Sequence, residues 1–150
     1  MPGIDASSAV RYPPDDPREW LNRAKSNLAQ AGFGVRIPGV YFEDLCFLAQ
    51  QAAEKALKAV LILQGIHFPR MHDLSQLVGL LEQTALDIPR RVREAARLTR
   101  YAVAARYPGV LETVQPGQYE DAVRIAAVVV AWCEEIIAAH NLDETLRSVE

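Results

Sequence analysis

The chain has 150 residues, 50% of them hydrophobic and 23% charged, with a formal net charge of -3 at pH 7. That length supports one domain with its own core, needing neither disulfides nor metal, and the acidic balance argues against binding nucleic acid through net charge. No apolar run approaches the ~20 residues that cross a bilayer, so no membrane association is expected.

The first residues, MPGIDASSAVRYPP, lack the basic start and apolar stretch of a signal peptide, and a cytoplasmic location is expected. Cys46 and Cys133 are the only cysteines, and both lie in apolar helical repeats. Buried, reduced thiols are therefore expected rather than a disulfide.

Residues 1–14 mix Gly, Pro, Ser and small side chains and predict a flexible tail, with the folded domain over 15–150. Asp16-Pro17-Arg18-Glu19 then marks a helix start. Asp16 can cap, Pro17 suits the first helical position, and Glu19 stands where a capping-box acid reaches back. Trp20, Leu21, Ala24, Leu28 and Ala31 follow at helical spacing, and the element stops near Gly32 or Gly34.

After a linker over 36–39 comes the central stretch, 42–65, FEDLCFLAQQAAEKALKAVLILQG. Its apolar residues recur at three- and four-residue steps, so they share one helical face. Five alanines between Ala49 and Ala59 let neighbouring helices approach closely, which suits the centre of a bundle. Gln51, Glu54, Lys55 and Lys58 predict an opposite, solvated face, with Glu54–Lys58 as an i,i+4 pair. Gly65 supplies a left-handed terminus.

Residues 66–72 form a loop, and Asp73 caps a third helix holding Leu74, Leu77, Val78, Leu80 and Leu81. A break at 87–89 leads to a fourth helix over 90–104 and a second loop from Arg106-Tyr107-Pro108-Gly109 to Pro116-Gly117. The last helix spans 118–140 or beyond. Its middle is apolar on nearly every face, as in a helix covered on several sides, and predicts a dimer interface. With no strand pair or repeat, the fold class is all-α: a single-domain, up-and-down bundle of about five helices.

Three clusters carry candidate chemistry. Arg90, Arg93, Arg97 and Arg100 are spaced 3, 4 and 3, which on a continuous helix puts four guanidiniums in one row. Such a row suits phosphate, and a row paired with acids of a neighbouring helix is the alternative. Arg100-Tyr101 and Arg106-Tyr107 pair a cation with a ring, a combination that holds a phosphate while stacking on a base. His67, His72 and Asp73 match metal spacing only loosely, and no metal or cofactor is expected. His72 either orients a ligand or supports the Asp73 cap.

Taken together, the run Cys46 to Ala59 (CFLAQQAAEKALKA), the segment 65–69, His72-Asp73-Leu74 and Arg106-Tyr107-Pro108 resemble the HEPN-domain family over residues 16 to 140. The resemblance is to small, stand-alone prokaryotic members. It implies a helical bundle, commonly a homodimer, frequently encoded with a minimal nucleotidyltransferase partner in toxin–antitoxin operons. Many members are metal-independent ribonucleases that use an Arg and, four to six positions later, a His. Here Arg100 matches the arginine, but Arg106 stands near the histidine position, and no histidine occurs between His72 and His140. Arginine steadies a phosphate without shuttling a proton.

The leading expectation is thus a non-catalytic dimer that binds nucleotide or RNA phosphate through Arg100, Arg106 and Tyr107, with Arg97 and His72 nearby. The alternatives are a ribonuclease toxin using Arg100 and His72, and a dimerisation or adaptor module whose work lies in its helical surfaces.

Overall fold

The computed structural model describes residues 10–68, 70–104, 107, 109 and 113–149. All regular structure among them is helical: α1 (Pro17–Phe33), α2 (Phe42–Leu63), α3 (Leu74–Glu82), α4 (Arg90–Arg93), α5 (Arg100–Ala104) and α6 (Pro116–Val149). Short 3-10 segments sit at Gly34–Arg36 and Glu94–Leu98. Because α4, the second 3-10 segment and α5 follow one another almost without interruption, the chain forms a five-part helical bundle, as the periodicity predicts.

The first helix starts as its sequence dictates, with one difference. Asp16 caps α1 by accepting the Arg18 N–H, and Pro17 fills the first turn. Glu19, however, does not close a capping box. Its carboxylate reaches past the cap to the Tyr12 N–H at 3.0 Å and accepts from Arg23 Nε at 2.9 Å. The described part of the N-terminal stretch, from Val10 on, therefore runs against α1. Asn22 Nδ2 donates to the Val10 carbonyl and Trp20 Nε1 to the Pro14 carbonyl, at 2.9 and 2.7 Å.

Helix α2 holds the centre and packs against α1, α3, α5 and α6. Ala49, Ala52, Ala53, Ala56 and Ala59 are all fully buried, so small side chains here do permit close approach. Its C-terminus closes in a left-handed glycine turn. Gly65 has φ +70°, its N–H bonds to the Ile62 carbonyl, and the Ile66 N–H bonds to the Leu61 carbonyl. These two bonds satisfy carbonyls that the helix end would otherwise leave unpaired.

The expected solvated face of α2 is not there. Glu54 and Lys58 are each only 5% exposed, and Gln50 is fully buried. Covered by four neighbours, α2 leaves only Gln51 and Lys55 of that expected face partly open to water, and its buried polar residues satisfy one another. Gln50 Nε2 donates to Glu54 Oε1 at 3.0 Å, and Lys58 Nζ to Glu54 Oε2 at 3.2 Å. The Lys58 ammonium also lies 5.5 Å from the Phe68 ring centroid and 6.0 Å from that of Trp20.

Helix α6 crosses the back of α1 and α2. Near its start the Tyr119 hydroxyl donates to the Ala31 carbonyl at 2.7 Å, satisfying an unpaired group at the end of α1, and its ring stacks on Phe42. Lys25 of α1 pairs with Glu134 further along. Ala122, Ile125, Ala126, Val129, Val130, Trp132, Cys133 and Ile137 are all buried within this one chain. The apolar middle of α6 therefore does not by itself require a second copy. From Ala138 to Val149 every residue is exposed. Cys46 and Cys133 are buried and unpaired, as expected.

Candidate phosphate site

The arginine-bearing segment is where the structure departs most from its sequence pattern. A continuous α-helix advances about 100° per residue and a 3-10 helix about 120°, so five residues of 3-10 turn the next stretch of helix by roughly an extra 100°. Glu94–Leu98 is such a stretch, and the predicted row of four arginines does not form. Arg93 turns to α3, pairing with Glu82 at 3.0 Å and donating to the Ile88 carbonyl. Arg97 turns instead to α6 and pairs with Asp121 at 2.7 Å. Arg90 and Arg91 are exposed at the start of α4.

Arg97 and Arg100 nevertheless share a small cleft of about 210 Å³ between α5 and α6, lined also by Leu98, Tyr101, Asp121 and Ile125. Asp121 is the acid of this cleft. It takes Arg97 on one oxygen and Arg124 on the other, both at 2.7 Å, and Arg124 lies 3.6 Å from Glu94 as well. The Arg124 hydrogen bond, with the charge of Arg97 added, holds the Asp121 carboxyl below its ordinary range. Arg100 is exposed, and among the described residues no carboxylate lies within ion-pair distance of it. Its guanidinium sits 5.6 Å from the centroid of the buried Tyr101 ring, which forms the apolar floor. Burial raises the Tyr101 phenol, so it stays protonated at neutral pH.

His72 does not line this cleft, but the segment that carries it meets the start of α5 at Thr99. Thr99, the residue before Arg100, accepts the Leu74 N–H on its hydroxyl oxygen at 3.1 Å. That bond ties the start of α3 to the residue that precedes α5. His72 is exposed, and its Nδ1 lies 3.4 Å from Glu54 Oε2. It is thus the solvent-facing end of the Gln50–Glu54–Lys58 network. Asp73 is the α3 cap, accepting from both the N–H and the hydroxyl of Ser75, and these bonds depress its pKa.

Among the described residues no group of three His, Cys, Asp or Glu side chains is placed to hold a metal. His67 is exposed in the loop. Tyr107 is 61% exposed, beyond the end of α5. Arg106 and Pro108 lie outside the described residues.

Sequence reasoning found the Glu54–Lys58 pair, which forms, but missed its burial and its extension to Gln50, and it missed the Thr99 tether. The first has a signal, since Gln50, Glu54 and Lys58 recur at four-residue steps within an alanine-rich run that must be covered. The second has none, because it joins residues 25 apart that only the tertiary fold brings together.

The described residues thus form an all-helical bundle in which Arg97 and Arg100 line one small cleft. A HEPN-domain family model matches residues 17–136, and the chain belongs to that family. It is also similar to two solved structures. One, of the protein TT1696 from Thermus thermophilus, is 32% identical, with a TM-score of 0.67 over 79% of this chain and 96% of that one. The other, ST0689, described as an archaeal HEPN homologue, is 28% identical, with a TM-score of 0.63 over 81% and 98%. No curated protein matches the chain.

Proposed function

We propose that this HEPN protein acts as a homodimer that binds a nucleotide or RNA phosphate at the α5 end of the bundle. Arg100 is the principal contact, with Arg97, Arg106, Tyr107 and His72 contributing. The observation that carries this reading is Arg100 itself. It is an exposed guanidinium over a buried ring, with no acid paired to it among the described residues, beside a second arginine in the same cleft. A guanidinium offers a planar fork of donors that matches phosphate oxygens. Support for a homodimer comes from the far end of α6, where exposed Leu142, Leu146 and Val149 follow one another at helical spacing. The reading extends to a nucleotidyltransferase partner and a toxin–antitoxin role, on the family resemblance.

The test is titration of ATP and a short single-stranded RNA against wild type, Arg100→Ala and Arg106→Ala. Binding that each variant weakens supports the proposal, whereas equal binding by all three, or none by wild type, ends it. Co-purification with a nucleotidyltransferase encoded beside it would test the partner separately.

A second reading draws on the His72–Glu54 contact, because a histidine oriented by a carboxylate is how a general base is commonly held. On this reading the protein is a metal-independent ribonuclease using Arg100 and His72. Incubation with RNA in EDTA should then give cleavage that both Arg100→Ala and His72→Ala remove. Intact RNA would dismiss it.

A further inference from the structure

A second cleft lies beside α2 and shares none of the residues that line the first. It measures about 440 Å³, within the range of small-molecule sites, and is bordered by Tyr12, Pro14, Glu19, Trp20, Arg23 and Lys55. The N-terminal stretch forms one wall and α1 with α2 the other.

Its apolar walls are held rigidly. The Trp20 indole donates to the Pro14 carbonyl at 2.7 Å and meets Phe68 edge-on at 6.1 Å. Tyr12 is held from both sides. Its N–H bonds to Glu19, and the Arg18 guanidinium lies 4.0 Å from its ring centroid. Rings fixed before a ligand arrives lose little entropy on binding it.

The charges in the cleft do not cancel. Glu19 and Arg23 neutralise each other at 2.9 Å, and Glu54 and Lys58 do the same behind the wall. Lys55 is left over. Its ammonium is half-buried and bonds to Asn27 Oδ1 at 2.7 Å, with no carboxylate in ion-pair distance among the described residues. Burial, and then the charge of Arg23, push Lys55 below its ordinary pKa. An anion beside it would relieve both effects.

We infer that this cleft binds a small aromatic monocarboxylate, its ring against Tyr12 and Trp20 and its carboxylate on the Lys55 ammonium. Among the residues that border the cleft, the single uncompensated charge sets the class. A monoanion completes the balance, whereas a nucleotide carries more charge than the cleft can meet. Lys55, rather than Arg23, makes the primary contact, since Arg23 already serves Glu19.

The test uses the full-length protein and two probes with the same body and opposite heads, 3-phenylpropionate and 3-phenylpropylamine. Ligand-observed NMR at millimolar concentrations should show binding of the acid and not of the amine. Lys55→Met keeps the stem and should weaken the acid about tenfold, as expected when a charge partner is removed. Arg100→Ala should leave it unchanged, so failure here is separable from failure of the phosphate site. Circular dichroism and a thermal melt on Lys55→Met confirm that it folds. Equal binding of acid and amine, an undiminished signal with Lys55→Met, loss with Arg100→Ala, or no binding of the acid would each overturn the inference. So would AMP displacing the acid in a Lys55-dependent way, which would assign the cleft to nucleotides instead.

Discussion

The hydroxyl oxygen of Thr99 accepts the N–H of Leu74 at 3.1 Å, and this bond joins the two segments that carry the candidate residues His72 and Arg100. Arg100 follows directly on one side, and His72 stands two residues before Leu74 on the other. Thr99→Val keeps the shape and removes the acceptor. It should cost about 1 kcal/mol in urea unfolding, the usual value of such a bond with its donor left unpaired. The more telling readout is the His72 resonance. Its response to bound nucleotide should shrink in Thr99→Val while that of Tyr101 persists.

The buried Glu54–Lys58 pair makes a sharper energetic case. Removing one partner strands a charge among Trp20, Phe68 and the α2 core, so Lys58→Met should destabilise by about 3–5 kcal/mol. Glu54→Leu should do the same for the opposite reason. Replacing both should recover part of the loss, with a coupling of about 1–3 kcal/mol in a double-mutant cycle. Additive losses would mean that the two side chains do not interact in solution.

Asp121 competes with any phosphate for Arg97. Neutralising it as Asp121→Asn frees both Arg97 and Arg124, and the affinity for a short RNA should rise about three- to tenfold at low salt and less at high salt. The sign with pH follows from the same ion pairs. The carboxyl is held below its ordinary value of 3.8, so its contribution to stability is present above that pH and lost on acidification through its lower folded value. Wild type should therefore lose a small increment of stability in acid that Asp121→Asn never had.

The thiols give an alkaline counterpart. Burial, and then the charge of Glu43, push Cys46 from an ordinary 9.0 up to about 12, and burial alone raises Cys133 further. Ellman's reagent should find neither thiol near neutral pH until denaturant is added. The unfolded thiol ionises near 9 while the folded one stays protonated to about 12, so this contribution to stability is intact below 9 and declines between those values. Cys46→Ala should flatten that decline in a pH series of melts.

Much of this architecture is legible without coordinates because its signals are local. Asp16-Pro17, Gly65 and Asp73 each mark a helix boundary by a mechanism contained within a few residues, and the structure places all three as expected. The 3-10 interruption is not legible in that way. Glu94-Ala95-Ala96-Arg97-Leu98 holds neither Gly nor Pro and would suit an ordinary α-helix. Val92, Ala95 and Leu98 stand three residues apart and are all buried, and a three-residue turn keeps them on one side. The polar face of α2 misleads for a related reason. Charge predicts exposure only where a helix has an open side, and the alanines that made α2 central had already removed one. Of the proposed site, Arg97 and Arg100 line one cleft, His72 lies against Glu54 outside that cleft, and Arg106 lies outside the described residues.

The end of α6 has a thermodynamic consequence of its own. At ~1.5 Å per residue its 34 residues extend about 51 Å, and the last twelve expose every side chain. A free helix of that length is marginal in water, sustained by little beyond its backbone bonds and pairs such as His140–Glu144. Its population therefore tracks its surroundings. Amide exchange over residues 138–149 should slow on association if Leu142, Leu146 and Val149 become covered, and stay fast in an isolated chain. The exposed end of α6 is in this sense a sensitive gauge of assembly.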